Sequence, residues 1–196
     1  MMTPTFIGYL AKRIVKRGRE GSHDTAGGFP VGPPVDEICS VSRCIANEPE
    51  GWRDGPEQNA FCVYDSPDLA WSVVPAESRR DFELFAYQLY PVQYEDGREE
   101  NLEALEWWDL AVEPMSPSFV RLGWDVVVGG SHSSFGCSPL SCNGQAGLTG
   151  IPAVNRYCLL SSEQEGLHLA REFSISKPEP GPYCVVEVWR KGKEAA

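Results

Sequence analysis

The chain has 196 residues, 42% of them hydrophobic and 11% aromatic, and a formal net charge of −11. A chain of that length buries enough surface to build a core without cross-links, and the composition is too apolar for a disordered polymer. The acidic balance excludes non-specific nucleic-acid binding, which needs Lys and Arg against phosphates, and argues equally against anionic membrane surfaces.

Residues 6–15 read as the first strand. The stretch up to Arg19 holds five basic residues and no acid, expected to be solvated positions on and after that strand. It lacks the apolar core and small-residue cleavage site of a signal peptide; an acid-poor organellar presequence is the weaker alternative. No apolar run approaches the ~20 residues that span a bilayer. The seven Cys, an odd number, are therefore expected as reduced thiols in a cytoplasmic protein.

Two segments share a pattern. CSVSRC begins at Cys39 and CSPLSC begins at Cys137, 98 residues later. Each is followed by a further Cys in a similar setting: NAFCVYDS around Cys62 and NRYCLLSS around Cys158. Asn, an aromatic, Cys, an aliphatic and Ser recur in register, and both segments read as strands. Ser66 before Pro67 and Ser162 three residues before Glu165 are helix starts, since a Ser hydroxyl accepts from free first-turn amides and Pro suits the first helical position. Helices are expected from Ser66 to about Val74, and over 163–173. The strands 82–90 and 183–189 follow them. Both are apolar on two faces, as central strands are. A further strand, 119–128, matches 6–15 more loosely.

Strand, Cys-Ser strand or turn, strand, capped helix, strand is thus read twice. The expected fold is α+β: a pseudo-symmetric internal duplication of a β-β-β-α-β-like unit, with mostly antiparallel sheet and flanking helices. It would be one domain of two similar halves, 1–98 and 118–196. Between them lie an acidic helical segment, 99–113, and a short Pro-containing linker, 114–117.

Chemistry has fewer footholds. The chain contains no CxxC, HExxH, GxSxG, Walker or GxGxxG motif. The Gly- and Ser-rich stretch 129–150 carries no charge, and its glycines would let backbone amides approach a small anion. His132, Cys137, Cys142 and Asn143 lie in it, and Arg121 or Arg156 would supply positive charge. His132 could also activate a Cys nucleophile. His132, Cys137, Cys142 and Cys158 form a conceivable zinc set, but their spacing is not a common finger pattern. Neither a metal nor a cofactor is expected. Asp125 and Glu187 interrupt apolar strands. Each must face solvent, meet an Arg, or line a site with a raised pKa; edge exposure is the simplest reading.

Eight acids and one base lie between positions 95 and 113. Trp107 and Trp108 sit among them, and adjacent helical positions cannot face the same core. Glu99, Glu100, Glu103 and an exposed Trp107 or Trp108 would suit a basic protein partner, because charge steers encounter and aromatics anchor complexes. The expected function is therefore a small binding protein, of inhibitor or immunity type, with no nucleic-acid or membrane partner. The alternative is an enzyme acting on a small anionic ligand between the halves. Its candidates are His132, Cys137, Cys142, Asn143, Arg121, Arg156, Asp125 and Glu187.

Overall fold

The computed structural model describes residues 3–13, 15–16, 37–42, 56–102, 110–129, 135–141 and 153–192. Its centre is a five-stranded antiparallel sheet. β1 (Thr5–Arg13), β4 (Phe82–Glu95), β7 (Tyr183–Lys191) and β6 (Phe119–Val128) lie side by side in that order, and β5 (Arg98–Asn101) pairs with the end of β4. A two-residue pair, β2 (Val15–Lys16) and β3 (Glu37–Ile38), lies apart. Helices α1 (Pro67–Ser72) and α2 (Glu163–Ser176) pack against the sheet. The architecture is α+β with a mostly antiparallel sheet. Among the described residues, no helix is long and apolar enough to cross a membrane.

The two most apolar strands occupy the middle. Their side chains are covered on both faces, so an alternating polar pattern would leave polar groups without water. β4 tolerates Pro91 because its pairing with β7 slips between Leu89 and Gln93, where no ladder amide is required. The Pro91 carbonyl instead accepts from the Leu102 amide at 2.9 Å.

The helices start where their caps dictate. Ser66 accepts from the Leu69 amide, with Pro67 opening α1. Ser162 and Glu165 close a capping box on α2. Two of the four free amides at such an end are thereby satisfied within the chain. The buried side of α2 carries Leu169, Ala170 and Phe173. They pack with Trp124, Val126, Tyr183 and Val185 of β6 and β7.

The segments 59–66 and 155–162 are turns, not the expected strands. Cys62 and Cys158 sit in the left-handed region, at φ 58° and 59°. Asn59 Oδ1 accepts from the amides of Phe61 and Val63, and Asn155 Oδ1 from those of Tyr157 and Leu159. A side-chain oxygen that takes two amides so close in sequence curls the backbone away from a ladder. Each Asn then donates to an edge strand, to the Ile7 carbonyl and the Leu122 carbonyl, both at 2.8 Å. Each turn adds one bridge to its strand, Tyr9 with Tyr64 and Trp124 with Leu160. The register slips beside each bridge, between Phe6 and Gly8 and between Arg121 and Gly123.

Those slips need glycine. Gly8 and Gly123 take φ of +138° and +149°, and a Cβ there would lie 2.5 Å from the Tyr64 oxygen or 2.6 Å from the Leu160 oxygen. Backbone cannot retreat as a flexible side chain can. Gly8→Ala and Gly123→Ala should each destabilise the fold by about 2 kcal/mol or more. Denaturant unfolding checks this; a loss under ~0.5 kcal/mol, typical of neutral surface changes, would show that the close approach is not needed.

Candidate functional site

Asp125 lies in the middle of β6 with no exposed surface. Edge exposure was the simplest expectation, and the structure corrects it. The Ser40 hydroxyl donates to its Oδ2 at 2.5 Å, and the Ser138 hydroxyl to its Oδ1 at 2.6 Å. The Val41 amide donates to Oδ2 at 3.3 Å. Ser40 and Ser138 each stand second in a Cys-Ser segment, so both segments end on one carboxylate. Contacts beside them reinforce the meeting: the Ser42 hydroxyl donates to the carbonyl of Gly136, just before the second segment, and the ring of Phe135 stacks at 5.8 Å on that of Phe61 from the Asn59 turn.

Lys12 is 3% exposed and donates to the Ser40 carbonyl. The basic start of the chain was read as solvated; this lysine is not. Its charge lies close enough to favour the ionised form of Asp125. A buried carboxylate with a nearby cation and three donors satisfies the requirement that interior charge be compensated. Burial nevertheless wins and raises the Asp125 pKa above 3.8, against the lowering effects of Ser138, Ser40, Val41 and Lys12.

Glu187 is 4% exposed and meets Arg121 at 3.1 Å. Arg121 also lies over two indoles, 4.7 Å from the ring centre of Trp124 and 5.8 Å from that of Trp189. Here the expected meeting of an interior acid with an arginine occurs. Glu187 pairs with Trp124 across the strands, while Asp125 pairs with Val186. Neighbouring residues on a strand face opposite ways, so the sheet separates the two carboxylates. They do not form one acid–base pair.

Arg156 is exposed, 5.4 Å from the Tyr157 ring centre. Arg190, unremarked in the sequence, holds Glu37 at 2.8 Å and Glu83 at 3.2 Å. Cys137 is half-buried and its carbonyl accepts from Val128. Cys158 is buried, its thiol directed at the Leu140 carbonyl. His132, Cys142, Asn143, Glu103, Trp107 and Trp108 lie outside the described residues. Among the described residues, no three His, Cys, Asp or Glu side chains cluster in a way that could hold a metal ion.

The acidic segment does not begin as a helix. Glu99 and Glu100 belong to β5, which folds back on β4 through Asp96 and Gly97. Asp-Gly allows positive φ at both turn positions, here 50° and 75°. All four residues of β5 are exposed. Neutral neighbours hold its acids: the Tyr94 hydroxyl donates to Glu99 at 2.9 Å, and Gln93 Nε2 donates to Glu100 at 2.7 Å. Tyr94 is pushed up to about 12, first by burial and then by Glu99. Among the described residues, the ion pair at this hairpin is Asp96 with Lys177, at 2.5 Å.

The chain matches no family model, no curated protein and no solved structure.

Two measurements follow from the interior groups. Asp125→Ala leaves the Ser40 and Ser138 hydroxyls and the Val41 amide without their acceptor, and buried Lys12 without the nearby carboxylate, and should cost about 3–5 kcal/mol. Asp125→Asn should instead change the pH dependence. A carboxyl with a raised folded pKa contributes stability that is full below its unfolded pKa and lost as pH rises through the folded one. Wild type should therefore lose stability relative to Asp125→Asn as pH climbs above about 4. A difference between the two that stays constant with pH would contradict the raised pKa.

The thiols provide a separate check. Burial pushes Cys39 up to about 12 and raises Cys184 further. Because the thiolate is the reactive form, Cys39 and Cys184 should resist alkylation at neutral pH until the protein unfolds. Rapid labelling of either in the native protein would refute this.

Proposed function

We propose that the chain is a binding protein whose acidic hairpin, β4 to β5, captures a basic protein partner. One observation carries the reading: Glu99 and Glu100 lie on an exposed strand and, among the described residues, are held by Tyr94 and Gln93 rather than by an ion pair. Their charge is thus ordered without a salt-bridge partner among the described residues. Glu95, exposed at the end of β4, adds to the same field. Such a surface steers a cationic partner and leaves its own charges for that partner to pair.

The enzyme reading loses support where the structure describes its residues. Asp125 has both oxygens engaged and no exposed surface, and Glu187 is tied to Arg121. Neither is available to a substrate.

We also infer that the halves, 1–98 and 118–196, are copies of one unit within one domain. The support is the paired set Gly8 and Gly123, Asn59 and Asn155, Cys62 and Cys158, and Ser66 and Ser162, with matching bulges, bridges and caps. A chimera carrying residues 155–162 in place of 59–66 should fold; its failure would count against common descent of the turns.

The binding reading predicts kinetics. Exposed charges are screened beyond about 8 Å at physiological ionic strength, so association with a recovered basic partner should slow as salt rises. Changing Glu99 and Glu100 to Lys should cut the on-rate by about tenfold or more, with a smaller change in the off-rate. Stopped-flow or surface-plasmon measurements decide this. Unchanged on-rates would reduce the hairpin to a solvated edge.

A further inference from the structure

The geometry of the hairpin says what form a partner must take. In a two-residue hairpin the pair flanking the turn exchanges both backbone hydrogen bonds, and pairs alternate from there. Glu95 faces Arg98, Tyr94 faces Glu99, Gln93 faces Glu100 and Val92 faces Asn101. The alternation continues to the Leu102 amide, which donates to Pro91. Glu99 falls at a position where the backbone N–H and C=O point away from β4. No strand among the described residues pairs with β5 on that side.

Gln93 adds an independent mark. It is 4% exposed, and its Nε2 holds Glu100. Its Oε1, on the same amide, accepts from no group among the described residues. A buried acceptor without a donor costs free energy that an incoming N–H can recover. An ammonium or guanidinium seated at the Glu100 carboxylate brings such a donor beside it.

We propose that the outer edge of β5 takes an extended, lysine- or arginine-bearing segment of the partner as an added strand. This rests on the binding reading above and specifies the shape of what is bound. Strand addition satisfies the Glu99 backbone groups, and two neighbouring cationic side chains, facing opposite ways, meet Glu99 and Glu100 on the two faces of the sheet. A second copy of the chain does not suit the edge. Antiparallel pairing of two β5 strands through the outward backbone groups sets Glu99 against Glu99 or, in the next allowed register, Glu100 against Glu100, and like charges directly opposite destabilise a ladder. A basic helix could pair the acids but would leave the Glu99 backbone groups unused.

The test uses the full chain and a synthetic peptide with blocked ends in which Lys-Lys pairs alternate with Val-Thr pairs, so that each face of the added strand presents Lys. Two derivatives of it are N-methylated at every second residue, one set on each edge. These keep the charge and remove the donors of one edge. At low salt the parent peptide should bind, measured by fluorescence anisotropy. One methylated set should bind about tenfold more weakly or worse, as loss of several ladder bonds requires. In the wild-type protein, the Glu99 amide should gain hydrogen-exchange protection when the parent peptide is added. Changing Glu99 and Glu100 to Lys should abolish binding. If charge reversal abolishes binding but both methylated peptides bind like the parent, and Glu99 gains no protection, strand addition is wrong and the basic-partner reading stands. If the parent peptide does not bind, or charge reversal leaves it unaffected, both readings fall.

Discussion

One carboxylate decides where two distant pieces of chain meet. Asp125 accepts from Ser40, 85 residues away, and from Ser138, 13 residues away. Each hydroxyl could bond water in the unfolded chain, so the net gain per bond is modest, about 1 kcal/mol. The constraint comes from the opposite case. A buried carboxylate that lost these donors would face its full desolvation cost. The segments 37–42 and 135–141 therefore have one tolerable arrangement around it, with Lys12 held against the Ser40 carbonyl. The Phe61–Phe135 stack and the Ser42–Gly136 bond build on that arrangement.

The edges of the sheet are closed by a different device, used twice. An Asn caps its own tight turn with its oxygen and grips the edge strand with its nitrogen, at Ile7 in one case and Leu122 in the other. The bulge at Gly8 or Gly123 brings the strand close enough for the turn to pair with it. Beyond tidying the backbone, this covers β1 and β6 with chain, and covered edges do not recruit other strands. β5 receives no such cover among the described residues. The sheet thus leaves exposed the edge where its surface acids are ordered.

What could be read from the sequence was what local chemistry determines. The caps at Ser66 and Ser162, the extent of 119–128 and the two-sided apolar strands around β4 and β7 all depend on neighbours a few residues away. The Asp96-Gly97 turn was equally local and was obscured by the acidic run that reads as a helix from 99. Asp-Gly between alternating strands is a strong hairpin signal, and the helical reading overlooked it. The interior charges were not local at all. Lys12 and Asp125 look like solvated or edge residues until Ser40 is brought between them. The repeated Cys-Ser segments did mark the place, but attention to the thiols missed the hydroxyls. In both segments Ser makes the recurring polar contact, while Cys39 is buried beside it and Cys137 is half-buried.

The placement of charge bears on function. Glu187, Glu37 and Glu83 each have an arginine, and Asp125 has its serines and Lys12 nearby. Inside, acids are compensated group by group, as low dielectric demands. At the hairpin, Glu99 and Glu100 are steadied by an amide and a phenol that orient them without cancelling their charge. If solubility were the only need, such order would be wasted, since mobile carboxylates hydrate as well as fixed ones. Ordering a surface carboxylate costs side-chain entropy. A partner that finds the carboxylates already placed is spared that cost on binding, which is how preorganised acids favour association.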